Sequence, residues 1–147
     1  MTRFTIPTTT LAATLAVLLF GSACSSTGPD LGERVEVLGT VQFYEEPVLV
    51  QAPDTVDAGA SFTVSVRTWG GGCVSEGPTR VSRDGSTVRV EPIDIEVLAE
   101  VCTSELASFM HTAEVTLESP GEATLQIVGR RLPADEITTL ERTVVVR

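Results

Sequence analysis

Residues 61–68, Ser61-Phe62-Thr63-Val64-Ser65-Val66-Arg67-Thr68, decide how this chain folds. Phe62, Val64 and Val66 alternate with small polar or charged residues, and a period of two sets one side of an extended strand in a core and the other in water. Just upstream, Pro53-Asp54-Thr55-Val56-Asp57-Ala58-Gly59 reads as a turn in which Gly59 supplies a positive φ. Further out, residues 34–38 and 41–44 read as one strand bent at Gly39, and residues 48–51 as another after Pro47. Downstream, Asp84-Gly85 separates two short alternating runs within residues 81–90 and predicts a hairpin with a type I′ turn. Three more strands follow. Residues 112–117 set Ala113, Val115 and Leu117 on one face, residues 123–129 do the same with Ala123, Leu125 and Ile127, and residues 142–147 close the chain. Ser119-Pro120-Gly121 turns between the first two. Residues 93–110 sustain no apolar stripe at helical spacing over three turns and read as a loop with one helical turn at residues 103–107.

Seven to eight short strands with hairpin signals and almost no helix give an all-β domain, a single antiparallel β-sandwich of immunoglobulin-like or fibronectin-like kind. Ala52-Pro53-Asp54-Thr55-Val56-Asp57-Ala58-Gly59-Ala60-Ser61-Phe62-Thr63-Val64-Ser65-Val66 resembles the opening of many bacterial immunoglobulin-like modules. Together with Ser119-Pro120-Gly121-Glu122-Ala123-Thr124-Leu125, the resemblance spans most of residues 48–147. It implies a fold and no activity.

The N-terminus carries a different message. Met1 to Thr10 hold one arginine, Arg3, and no acid, and Leu11-Ala12-Ala13-Thr14-Leu15-Ala16-Val17-Leu18-Leu19-Phe20 follow as a short apolar run. At ~1.5 Å per residue such a run is too short to cross a ~30 Å hydrocarbon core, and it reads as the apolar part of a cleaved export signal. Gly21-Ser22-Ala23-Cys24 then resembles the lipobox of bacterial lipoproteins, whose cysteine sulfur receives a diacylglycerol, although Gly21 stands where that motif usually has leucine. The resemblance implies a signal over residues 1–23, a lipidated tether over residues 24–33 beginning at Cys24, and an immunoglobulin-like domain over residues 34–147. A lipid-anchored protein of the cell envelope is expected, on the outer membrane and facing the periplasm or the cell surface. The membrane partner is reached through the lipid alone. The whole chain also resembles bacterial lipoproteins of this architecture.

Composition narrows the chemistry. Of the 147 residues, the 124 from Cys24 onward suffice for one domain with one core. They hold all 20 acidic residues against nine arginines, so nucleic acid and anionic headgroups are repelled. All ten basic residues are arginine, which excludes a P-loop lysine, a Schiff base and a Ser-Lys pair. With His111 as the one histidine, a multi-histidine zinc site is excluded as well. Lipidation of Cys24 leaves Cys73 and Cys102 to pair in an oxidising compartment. Because Cys73 lies beyond the clearest strand, the disulfide is expected to staple loops at one end of the domain.

Other candidate sites weigh less. Gly70-Gly71-Gly72-Cys73 has no following helix start or lysine for a phosphate, and reads as a flexible loop held by the disulfide. Cys73, Cys102 and His111 match no chelating motif, and His111 lacks a Gly-x-Ser-x-Gly partner motif for hydrolysis. Glu45-Glu46, Asp54, Asp57 and Asp135-Glu136 do not form a calcium loop and read as solvated acidic turns. Arg130-Arg131 reads as the solvated end of a strand. The expectation is therefore a non-catalytic binding or scaffolding module without cofactor or metal, contacting an envelope ligand or protein through Trp69, Gly70, Gly71 and Gly72. Two alternatives stand beside it: a small periplasmic enzyme or metal-binding protein using His111, and a structural subunit of an envelope assembly.

Overall fold

In the computed structural model, which describes residues 32–147, the alternation of Val64 and Val66 runs on through Thr68 in a strand that extends to Gly71. The described residues form ten strands: β1 (Glu33–Leu38), β2 (Thr40–Phe43), β3 (Val50–Gln51), β4 (Thr55–Val56), β5 (Ser61–Gly71), β6 (Val74–Asp84), β7 (Thr87–Leu98), β8 (Leu106–Thr116), β9 (Gly121–Leu132) and β10 (Glu136–Val146). All ten belong to one hydrogen-bonded sheet that curls into an open half-barrel. Residues 1–31, including Cys24 and the expected signal, lie outside the described residues.

One wall of the half-barrel is β6, β7, β9 and β10 in that order, with β1 beside the second half of β7. The other wall is β8, β5 and the short β3. Only β2 is bonded to both, through β9 on one side and β5 on the other. β1 and β2 form the bent strand expected at Gly39. The Gly39 amide donates to Pro92 of β7 at 2.8 Å, and its carbonyl accepts from the Arg130 amide of β9 at 2.9 Å. The bend thus transfers the strand from β7 to β9. On the far side, β6 and β8 run close together without pairing, which leaves the curl open there.

The core between the walls is built mainly of valine. Val64, Val66, Val88, Val90, Ile127 and Val144 are no more than 2 % exposed. β-branched side chains fill a pleated face well, and each buried one contributes roughly 1.5–3 kcal/mol. Val115, Leu117, Ala123 and Leu125 join them from the faces that the alternation assigned.

Several expectations are corrected. The sheet is not wholly antiparallel: β4–β10, β2–β9 and β7–β9 are parallel pairs. One flank of β9 is shared by the first half of β7 and by β2, both running in its own direction. The strand β4 lies inside the stretch read as a turn, while Gly59 does take a φ of 78°. Residues 93–98 and 106–110 are strand, so the loop shrinks to residues 99–105 and carries no helical turn. The reason is burial on both faces: Ile93 and Asp94 are both sealed, so β7 shows no alternation there. In the β6–β7 hairpin, Gly85 has φ 57° and Ser86 has no positive φ, which excludes type I′. A positive φ at the first central residue alone is the type II′ pattern.

Candidate functional site

Three inward-facing series end in a polar residue at the same level of the core. They are Val64, Val66 and Thr68 on β5; Val88, Val90, Pro92 and Asp94 on β7; and, running back from Leu117 just past the end of β8, Val115, Ala113 and His111. Register places His111 opposite Val66, and the curl brings Asp94 across from the other wall. The Thr68 hydroxyl donates to Asp94 Oδ1 at 3.1 Å, and His111 Nε2 lies 2.9 Å from the same oxygen and 3.1 Å from Thr68 Oγ1. Since Oδ1 accepts, the ring proton belongs on Nε2. Two donors from one wall therefore converge on one oxygen from the other.

The cluster is closed to solvent, with the His111 and Asp94 side chains 0 % and 1 % exposed. Asp94 Oδ2 and His111 Nδ1 are buried without a hydrogen-bond partner. A nucleophile–base–carboxylate relay needs the nucleophile and the carboxylate on opposite ring nitrogens. Here Thr68 and Asp94 both meet Nε2, so the ring cannot pass a proton between them. The arrangement can, however, lock β5, β7 and β8 into one relative position.

Gly39 covers this cluster. A Cβ at that position would stand 2.5 Å from Thr68 Cγ2 and 2.9 Å from Asp94 Oδ2. Gly39→Ala is accordingly expected to lower the stability by about 1–3 kcal/mol, the usual cost of overpacking. Chemical denaturation checks this; a midpoint equal to wild type would mean that the bend has room to move.

The disulfide joins Cys73, in the β5–β6 turn, to Cys102, in the loop of residues 99–105. The expected flexible loop before it is corrected. Gly70 and Gly71 belong to β5, opposite Ala107 and Leu106, and Gly70 admits no Cβ because Val74 and Phe109 would lie within 3 Å of one. Gly72 is pressed against Thr103, with its amide donating to the Thr103 carbonyl at 3.4 Å. These glycines serve close approach, not mobility. Trp69 is likewise a strand residue, half-buried opposite Thr40 and Ser108. The structure does not bring Trp69 and Gly72 together into one loop.

Three of the six acidic turn residues, Asp54, Asp135 and Glu136, pair with arginine. Arg142 pairs with Asp54 at 2.7 Å, Arg130 with Asp135 at 3.6 Å, and Arg131 with Glu136. Arg130 also donates to the Leu38 carbonyl at 2.9 Å. Among the described residues no group of three or more histidine, cysteine, aspartate or glutamate side chains is placed to hold a metal ion.

A surface that the sequence reading passed over lies where β2 ends. Tyr44 has φ 54°, in the left-handed region that a bulky residue rarely adopts, and is 58 % exposed. Its amide donates to the Leu132 carbonyl at 3.0 Å, so the strained conformation is held from β9. Behind it, Phe43 meets the Tyr44 ring nearly edge-on at 4.8 Å and the Trp69 ring at 5.9 Å, and the Arg67 guanidinium sits 4.4 Å over the indole. Shallow, open clefts of about 500 Å³ flank Tyr44. One is lined by Gln42, Glu45, Arg131 and Leu132 to Ala134, the other by Phe43, Glu45, Glu46 and Pro47. Comparison with protein-family models, with curated proteins and with solved structures returns no match for this chain.

Proposed function

We propose that this protein is an exported, lipid-anchored binding module of the cell envelope, held through Cys24 and presenting the Tyr44 end of its domain to a ligand. The observation that carries this reading is Tyr44 itself. A residue held at positive φ costs of order 1–3 kcal/mol, and such strain gathers at ligand-contacting sites. Here it exposes a large aromatic ring between two clefts, on a base of Phe43 and Trp69. The domain is read as a curled variant of the immunoglobulin-like sandwich. Eight strands of four or more residues, arranged as two walls around one core, support that reading. The test is Tyr44→p-benzoylphenylalanine in the full chain, irradiated in intact cells. A discrete adduct, absent when the same probe replaces Val81 on β6, supports the module; equal diffuse labelling from both positions overturns it.

A second reading, an enzyme or metal-binding protein built on His111, is favoured by one observation. His111 Nδ1 and Asp94 Oδ2 are buried polar atoms without partners, and such orphans are found at functional sites. It requires the strands over the cluster to part, because the site has no opening. Metal content or hydrolytic activity of the purified full chain that disappears in folded His111→Gln would put this reading first.

A further inference from the structure

Resting on the binding-module reading, we infer that the cleft beside Tyr44 takes a neutral saccharide chain, with a pyranose ring laid against the tyrosine. A sugar ring offers a face of C–H groups bearing partial positive charge, and the face of an aromatic ring is negative. Tyr44 is the exposed ring of this surface, and Phe43, steeply inclined to it at 72°, supports it from behind.

The rim supplies what hydroxyl groups need. Sugar hydroxyls donate and accept together, so a saccharide site pairs an aromatic platform with side chains of both kinds. Gln42 brings an amide that does both, Glu45 brings acceptors and Arg131 brings donors, all lining one cleft. An acidic ligand is disfavoured. Arg131 is already paired with Glu136 and Arg130 with Asp135, while Glu45 and Glu46 border the ring. The chain as a whole is strongly acidic. A basic peptide remains as the competing occupant, and salt separates the two, since screening weakens an ionic complex and leaves a neutral one nearly untouched.

Calorimetric titration of the full-length protein in detergent with chitotetraose and with cellotetraose is the decisive experiment. Binding of either sugar is expected, within about twofold between roughly 0.05 and 0.5 M salt. Tyr44→Gly is expected to weaken it by at least about tenfold, as loss of a central aromatic contact does. Tyr44→Phe is expected to retain it. Glycine adopts the left-handed conformation without a steric penalty, so Tyr44→Gly keeps its fold, and an unchanged thermal midpoint verifies this. Sugar binding that Tyr44→Gly leaves intact overturns the assignment, and so does binding of neither sugar. If a position-44 photoadduct persists when no sugar binds, the saccharide is wrong and the module stands; if both fail, the module falls too. Capture of an oligoarginine peptide that salt abolishes, in place of sugar binding, assigns the cleft to a basic partner.

Discussion

Asp94→Ala is expected to lower the unfolding free energy by about 3–5 kcal/mol, the cost of removing one partner from a buried polar pair. Against a total of roughly 5–15 kcal/mol for a domain of this kind, that is enough to leave a large unfolded fraction on mild heating. The reason is the convergence at Oδ1. Without that oxygen the Thr68 hydroxyl and the His111 Nε2–H keep only each other, 3.1 Å apart, so one donor is left orphaned inside the core at a cost of about 1–3 kcal/mol, on top of the space the carboxylate vacates. Thr68→Val removes one donor with its own need and keeps the shape, so it should cost only about 1 kcal/mol. Replacing all three residues together, as Thr68→Val, Asp94→Leu and His111→Leu, should be close to neutral, because no orphan then remains. Urea denaturation of the purified full chain measures all three. If Asp94→Ala unfolds at the wild-type midpoint, the cluster does not hold the walls together, and its burial has to be explained by function instead.

The same cluster shows where a sequence can be read and where it stops. The period of two in residues 61–68 located β5 and its inward face, and Ala113, Val115 and Leu117 did so for β8. Continuing each phase by one step reaches Thr68 and His111, so a polar residue standing at a core position was a signal available in the sequence. Asp94 was not legible, because Ile93 and Asp94 are sealed on opposite faces and the alternation vanishes there. Its pairing with His111 also depends on the curl, which a local pattern does not encode. The first half of β10 was hidden for a related reason, whereas its end was read as the strand over residues 142–147. Ile137 and Leu140 are 69 % and 38 % exposed, so the first part of that strand is held by its ladder with β9 and shows no apolar face. The Tyr44 surface was missed because its marker is a backbone angle, and Glu45-Glu46-Pro47 looked like an ordinary acidic turn. Gly39, by contrast, was visible as a bend, although the reason no side chain fits there lies on β5 and β7.

Removing the disulfide with Cys73→Ala and Cys102→Ala together is expected to cost about 3.5 kcal/mol, from the entropy returned to the unfolded chain when a link across 29 residues is lost. The position of the link adds a local consequence. β6 starts at Val74, the residue after Cys73, and β8 starts at Leu106, shortly beyond Cys102, so the bridge ties together the starts of two strands that lie side by side without hydrogen bonds. Along this seam no ladder joins the two strands, and the covalent bond stands in for one at its end. The double variant should therefore lose global stability and, in the still-folded population, expose residues 99–105 to protease, since Val101 is already 85 % exposed and the loop is otherwise tied down by the Gly72 amide to Thr103. Denaturant titration and limited proteolysis of the same preparation separate the two effects. A lower midpoint with unchanged cleavage means that the bridge acts only on the unfolded chain. Faster cleavage at an unchanged midpoint means that it is a local strap, and that the valine core and the Thr68–Asp94–His111 cluster alone keep the seam closed.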